Sequence, residues 1–410
     1  MFFRKSIFFK FFFIFLPYSI AHGQHVKPID LFIWLDNFRT EALAAGIKPE
    51  TFDKAFDGIN ILPKVINLDQ QQPEFLQTFV DYYGVRVNQK LLDQARHLRI
   101  QNKRLLKDVY QRYQVPEQYL LAFWGLESNF SKITGNFSII QTLFTLAVDG
   151  RREKFFKQQL LASLKILERG LIPFIEPKSF KSSWAGAFGA MQFMPTTFLE
   201  YAVDTNNDQK IDLWNNTEEI FASAANYLQK MGWDKNTTWG QQVVLPSTFL
   251  YQEAEINNIK PLNQWIRQGI KPATGKAFPS NNPNTAIILP MGKFGPAFTV
   301  YPNFFLILKW NNSISYALSV GLFADQIIGY QGIVWKKPDD YRPITIKEIY
   351  LIQCYLKEKG LLVDQVDGRL GLQTRTAIRR IQQEQHFIAD GFPDQELLAY
   401  VEQNQETCNK

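Results

Sequence analysis

Residues 120 to 130 read LLAFWGLESNF. Behind Pro116, which the first turn of a helix accommodates, Leu120, Leu121, Phe123 and Trp124 recur at helical spacing and predict a helix turned toward a core. Glu127 then falls three residues after Trp124 and four after Phe123, on the apolar edge of that helix. Desolvation at such an edge disfavours ionisation and keeps a carboxyl protonated near neutral pH, ready to donate to a leaving-group oxygen. The same segment also reads as a helix end whose glutamate is exposed or caps a turn. From this stretch alone both readings stand.

On either side the pattern is helical. LFIWLDNFRTEALAAG, QKLLDQARHLRIQNKRLLKDVYQRY and REKFFKQQLLASLKILERG carry apolar residues three and four apart, with Gly46 and Gly170 as stops. Residues 178–195, KSFKSSWAGAFGAMQFMP, interrupt the pattern, and helix resumes from about Thr196 and through TEEIFASAANYLQKMG. From Trp239 to about Trp310 the short runs QQVVLPSTF, TAIILP and FTVYPNFFLILKW, set between Pro- and Asn-rich turns, predict a small strand-rich subdomain. ISYALSVGLFADQIIG is again helical. The proline-bounded segment KKPDDYRP, 336–343, reads as a linker to a last unit in which two Asp-Gly turns separate helical runs.

With 410 residues, 46% of them hydrophobic, the chain has enough apolar material for a large core and two or three domains. At the amino terminus, Arg4 and Lys5 precede an apolar stretch from Ile7 to Leu16 that is too short to span a bilayer comfortably. Small residues at Ala21 and Gly23, with Ser19 and Ala21 as a competing pair, predict a cleaved secretory signal over 1–23; an uncleaved amphiphilic anchor is the alternative. No cysteine stands near that site, so a lipid-anchored amino terminus is not expected. The two cysteines, Cys354 and Cys408, suit one disulfide in an oxidising compartment, or a buried thiol and a free one. A net charge of +6 without a run of like charges excludes a nucleic-acid patch and suits an anionic extracellular polymer.

Taken in order, GLESNF, SWAGAFGAMQFMPTTFLEYAVDTNNDQKIDLW, ANYLQKMGW and GPAFTVYPNFFLILKWNNSISYALSVGLFAD closely resemble the lytic murein transglycosylases of the membrane-bound B type, over residues 30 to about 335. The last sixty or so residues, LIQCYLKEKGLLVDQVDGRLGLQTRTAIRRIQQEQHFIADGF, resemble the small three-helix peptidoglycan-binding domain. The resemblance implies a mainly α (α+β) protein: a lysozyme-like helical catalytic domain at 24–335 with the strand-rich subdomain inside it, the linker, a binding domain at 344–403 and a tail at 404–410. It implies a single acid/base, falling on Glu127, that protonates the leaving oxygen and then deprotonates the muramyl 6-hydroxyl, giving 1,6-anhydromuramyl ends without water. It also carries over Ser183 to the N-acetyl region or reacting hydroxyl, Gln192 to orientation of the sugar or Glu127, Arg152 to substrate polar groups and Tyr227 to the cleft lining. Asn311, Asn312 and Tyr316 fall on the far wall.

Each position also has a plainer reading: Arg152 as a solvated helix-start charge, Tyr227 as a core aromatic, and Asn311, Asn312 and Tyr316 as structural hydrogen-bonding groups. The small residues Ala185, Gly186, Ala187, Gly189 and Ala190 read either as room for a sugar against the backbone or as tight packing of a turn. One position departs from the family, which has Gly where this chain has Ser131; the turn after Glu127 is therefore expected to differ.

Residues 204–215, DTNNDQKIDLWN, place Asp204, Asn206, Asp208 and Asp212 at positions 1, 3, 5 and 9 of a twelve-residue calcium loop. Gln209 stands where Gly is usual and Asn215 where a bidentate carboxylate is needed, which favours a polar turn over a structural calcium site. No cofactor is expected for the chemistry: the four histidines form no zinc motif, and no G-x-S-x-G occurs. The C-terminal unit is read as holding the enzyme near the wall through its linker. The expected location is the periplasm, and the expected partners are peptidoglycan glycan strands and proteins of a wall-synthesis or secretion complex, with the chain itself a monomer. Two rivals remain: a lysozyme-type hydrolase, for which Glu153 or Asp149 would activate water, and a non-catalytic wall-binding scaffold.

Overall fold

A computed structural model describes residues 31–70, 77–339, 341–363 and 365–404. The predicted signal at 1–23 and the tail from 405, with Cys408, lie outside the described residues. Cys354 is engaged in a disulfide.

The LLAFWG stretch lies in the helix Glu117–Ser128, and every residue from Tyr119 to Gly125 is buried. A helix apolar on all sides belongs inside a core rather than at its edge. Around it pack helices drawn from both sides of the sequence, including Gln89–Gln101, Lys103–Tyr113, Thr217–Lys230 and Ile314–Ile327. Gly125 permits a close approach to Ile314–Ile327, and Gly321 lets that helix close on Trp239. A Cβ on Gly125 would sit 2.8 Å from Phe323, and one on Gly321 would sit 2.2 Å from the ring of Trp239. The interface between Glu117–Ser128 and Ile314–Ile327 is thus drawn tight, which brings residues nearly two hundred positions apart into register.

Two sheets complete the catalytic region. β1 (Phe137–Ser138) pairs antiparallel with β2 (Lys181–Ser182), Phe137 opposite Ser182. β3 (Gly240–Val244), β4 (Lys260–Pro261), β5 (Lys271–Pro272), β6 (Asn284–Ile288) and β7 (Ala297–Val300) form an antiparallel sheet in the order β4-β6-β7-β3-β5. Val243, Phe249, Trp265, Ile287 and Leu289 give it a small core of its own. The run FTVYPNFFLILKW is not all strand: β7 ends at Val300, and Pro302 begins the helix Pro302–Trp310. Proline at the first helical position, behind an extended Tyr301, is the switch between the two.

The C-terminal unit is three helices, Ile346–Glu358, Leu372–Glu384 and Gln395–Asn404, around Ile352, Leu356, Ile378, Ile381, Leu397 and Val401. A Thr345–Glu348 capping box starts the first of them. The unit docks on the sheet subdomain as well as being joined to it by chain. Lys293 pairs with Asp394 at 2.7 Å, Arg379 pairs with Glu255 at 3.4 Å, and the Arg375 guanidinium donates to the carbonyl of Leu289 at 2.6 Å. Within the 336–343 segment, Tyr341 is buried and packs near Phe294, with ring centroids 5.5 Å apart.

Candidate active site

Glu127 is the second-last residue of its helix, half-buried, with its Oε1 accepting a short hydrogen bond from the hydroxyl of Tyr316. Tyr316 is itself buried, in the first turn of Ile314–Ile327, where its backbone N–H is capped by the Ser313 hydroxyl at 3.2 Å. Burial, and then the nearby Glu127 carboxylate, hold the phenol well above its ordinary pKa. It therefore stays a hydrogen-bond donor throughout the physiological range.

The turn after Glu127 is strained and tightly bonded. Asn129, Phe130 and Ser131 all have left-handed φ, of 49°, 58° and 64°. Against the expectation of a different turn, Ser131 takes the left-handed conformation that glycine would adopt freely, and the serine side chain helps to hold it. Its Oγ accepts from Trp124 Nε1 at 2.9 Å, and its backbone N–H donates to the Ser128 hydroxyl at 2.9 Å. Ser128 was not singled out from sequence, and Trp124 only as a core residue; their signal is helical spacing around Glu127, which any core residue shares.

Gln192 is drawn to the same loop. Its Nε2 donates to the carbonyls of Thr134 at 3.2 Å and Gly189 at 2.9 Å, and its own φ is 49°. Ser183 follows β2 and abuts Gly135, where a Cβ would lie 2.4 Å from the Ser183 nitrogen. The structure thus brings together the loop behind Glu127, Ser183 and Gln192. The small residues between them serve packing: a Cβ on Gly186 would meet Leu143 at 2.3 Å and one on Gly189 would meet Leu213 at 2.8 Å, at φ values of 85° and 73°. That is the turn-packing reading.

Tyr227 is buried among aromatic rings, edge-on to Trp310 at 5.0 Å and to Tyr201 at 4.9 Å. Burial, with Tyr201 and Glu200 adding to it, pushes its phenol up to about 12, and it lies within electrostatic range of Tyr316. Trp310, which sequence reasoning passed over, links this cluster to the Glu127 helix by stacking on Phe123 at 4.3 Å. Asn311 is the C-cap of the helix Pro302–Trp310, its N–H on the Ile307 carbonyl at 3.2 Å. Asn312 is exposed and faces a recess beside the C-terminal unit.

Arg152 is the N-cap of the helix Glu153–Glu168. The helix Ile139–Val148, about 15 Å long, lies between β1 and the turn that holds it. There Arg151 and Arg152 both engage the buried Asp69, Arg152 at 3.0 Å with about half of its side chain exposed. The two carboxylates considered for water activation are also committed: Asp149 to Arg151 at 2.8 Å and Glu153 to Trp34 Nε1 at 3.1 Å. Beside Glu127 opens a recess of about 430 Å³, and among the residues lining it Glu127 is the sole carboxylate.

The 204–215 loop is a polar turn. Asp204 accepts backbone N–H bonds from Asn207 and Gln209, Asp208 from Lys210, and Asp212 from Trp214 and Asn215. Its carboxylates are turned onto the loop's own amides, and among the described residues no three His, Cys, Asp or Glu side chains are grouped to hold a metal ion. Glu219, buried behind the loop, accepts from the N–H of Asp212 at 2.6 Å; burial raises its pKa despite those amide bonds, and Asp204 and Asp208 add to the rise. Gln209 takes the left-handed φ of 68° that glycine usually supplies at the sixth position, while Asn215 at the twelfth offers no bidentate carboxylate, and no chemical step is derived through a metal.

The chain and its fold resemble known proteins. The transglycosylase SLT domain family profile matches residues 32–325, and the peptidoglycan binding domain profile matches 345–400. The chain is 30% identical over 224 residues to membrane-bound lytic murein transglycosylase B of Escherichia coli K12, a match covering 52% of this chain and 58% of that protein's length. The crystal structure of SltB3 from Pseudomonas aeruginosa in complex with NAG-anhNAM-pentapeptide superposes with a TM-score of 0.83 at 41% identity, covering 91% of this chain and 99% of that one. The Escherichia coli lytic transglycosylase Slt35 in complex with calcium shares the fold at 22% identity and a TM-score of 0.61, over 75% of this chain and 95% of that one. Among the described residues no helix is long and apolar enough to cross a membrane.

Proposed function

Since the chain belongs to the transglycosylase SLT domain family, we propose that it cleaves the β-1,4 bond between N-acetylmuramic acid and N-acetylglucosamine in peptidoglycan without water, in the periplasm after removal of its signal. The observation that supports the reading is one carboxylate, bonded by Tyr316, which among the described residues lining its recess is the sole one. A hydrolase of either stereochemical class needs two carboxyl groups flanking the bond. With one, the substrate must bring its own nucleophile.

Glu127 gives its proton to the glycosidic oxygen as the bond to the muramyl C1 breaks. As a carboxylate it then takes the proton of the muramyl 6-hydroxyl while that oxygen bonds to C1. Glu127 ends protonated as it began, and a 1,6-anhydromuramyl end is left. The Tyr316 hydroxyl steadies the carboxylate between the two transfers. Ser183 is assigned to the N-acetyl group or reacting hydroxyl, Gln192 to holding the sugar against the loop, Tyr227 and Asn311 to the cleft wall, and the exposed edge of Arg152 to polar groups further along the strand. The ligand in the 41%-identical relative carries an anhydromuramyl unit and a pentapeptide, in keeping with this product.

The test is mass spectrometry of muropeptides released from sacculi by the mature chain and by Glu127→Gln. Products one water lighter than reducing-ended ones, lost in the variant while sacculus binding persists, are expected. Reducing ends would mean hydrolysis, and wild-type binding without release would mean a scaffold.

A further inference from the structure

We propose that the face formed by the helices Gln89–Gln101 and Lys103–Tyr113 is a docking surface for a bilayer containing anionic phospholipid, with Lys103 and Lys107 set around an apolar centre of Ile100 and Tyr110. Charge is concentrated in this part of the chain. From Arg86 to Arg112 stand eight Lys and Arg against two Asp, a net of +6, which equals the net charge of all 410 residues. The remainder is balanced, so an anionic surface is drawn to this segment.

The inner sides of the two helices carry the apolar residues that bury them, Leu91, Leu92 and Ala95 on the first and Leu106, Val109 and Tyr113 on the second. On the outer side, the end of the first and the length of the second border the start of Glu117–Ser128 around a recess of about 590 Å³. Ile100 and Tyr110 line it and are 75% and 40% exposed. Among the described residues lining it, Glu117 is the sole carboxylate, and Arg99 pairs with it at 2.5 Å. Lys103 and Lys107 also line it, and among the described residues neither ammonium group has a hydrogen-bond or ion-pair partner. They stand four apart on one side of their helix, whereas Asp108 faces a separate recess with Arg104 and Arg112.

Two unopposed lysines beside an exposed isoleucine and a tyrosine suit the surface of a bilayer. The lysine stems lie along apolar surface while their ammonium groups stay level with the phosphates, and Ile100 and Tyr110 enter the boundary between headgroups and acyl chains. A glycan strand offers no apolar layer to receive Ile100. The placement also leaves the active site open. Gln89–Gln101 runs from Lys90 at the Glu127 recess to Ile100 at this one, and Glu117–Ser128 spans the same two recesses, about 15 Å from Glu117 to Glu127. A chain seated by this face keeps Glu127 at the far end of both helices.

Sedimentation of the mature chain with vesicles tests the proposal, using phosphatidylcholine alone and phosphatidylcholine mixed with phosphatidylglycerol, at about 0.1 M salt. Binding is expected to the mixed vesicles only, and to weaken as salt rises. Lys103→Gln/Lys107→Gln should lower the partition coefficient about thirtyfold, roughly fivefold for each lysine near the surface. Lys357→Gln/Lys359→Gln, which removes the same charge from exposed positions on the C-terminal unit, should bind as wild type does. Ile100→Ser should bind more weakly, which attraction to headgroups alone would not produce. Thermal melts check that each variant is folded. No binding to mixed vesicles would overturn the docking surface, and so would an equal fall in both double variants, the mark of net charge alone. Loss of sacculus binding in Lys103→Gln/Lys107→Gln with vesicle binding unchanged would give the face to the wall polymer instead. An Ile100→Ser chain that binds as wild type does would overturn the apolar centre. None of these outcomes bears on the chemistry proposed for Glu127, which is read from released products.

Discussion

Tyr316→Phe isolates the contact that organises the site. It deletes one oxygen and keeps the ring, which is buried and 6.5 Å from Phe123. The lost interaction is a hydrogen bond to an ionisable carboxyl group, a class worth about 1.5–3 kcal/mol. If that bond is stronger by this amount to the carboxylate that develops as the leaving oxygen is protonated than to the resting acid, its loss appears as a fall of roughly 10- to 150-fold in kcat/KM, at 1.36 kcal/mol per tenfold. The cost to the fold is smaller, about 0.5–1.5 kcal/mol, because Glu127 is half-buried and water replaces the phenol. Initial rates of anhydro-muropeptide release, measured beside a thermal melt, separate the two effects. A folded variant within about twofold of wild-type activity would refute the argument that Tyr316 positions the acid.

Three further outcomes follow from particular contacts. Ser131→Gly relieves a left-handed φ, about 1–2 kcal/mol, but gives up the bond from Trp124, about 1 kcal/mol, so its melting temperature should stay near wild type; Ser131→Ala keeps the strain without the bond and should melt lower, and the reverse order would sink this account of the turn. Lys276 and Asp325 form a buried pair at 2.7 Å, with Trp239 donating to Asp325 at 3.0 Å, so Lys276→Met should cost about 3–5 kcal/mol and a Lys276→Met/Asp325→Leu double variant distinctly less than the two singles summed, as urea titration would show. Burial raises the Asp390 carboxyl above its ordinary value of 3.8, against the amides of Phe392 and Lys293, the Gln382 side chain and Arg375. The folded state then holds the proton more tightly than the unfolded one, so this group's stabilisation is full at low pH and is lost as pH rises from that ordinary value through the raised one. Melts of wild type and Asp390→Asn across this range should differ in slope, with the variant flatter; parallel slopes would remove Asp390 from the account.

Much of the design is local and so was legible in the chain. Helical spacing, proline starts and glycine stops marked the helical region, and Asp-Gly turns marked the three-helix unit, because each is a property of a few consecutive residues. Glu127 stood out because a carboxylate on an apolar run is an anomaly that needs no partner to be noticed. Where a single proline changed strand to helix, at Pro302, the apolar run alone misled, since burial masks the periodicity on which the distinction depends.

Other features arose only when distant segments met. The Tyr316–Glu127 bond joins residues 189 apart, on two helices that close on each other at Gly125. Gln192 reaches the Thr134 carbonyl only because β1 and β2 pair, and Arg152 is tied to Asp69 by a turn that spacing does not reveal. The cations of the basic face sit on two helices, each an ordinary surface charge in sequence. A sequence determines which residues want burial and where the backbone turns; which polar groups then face one another is decided by packing, whose distances and desolvation no stretch of chain contains by itself.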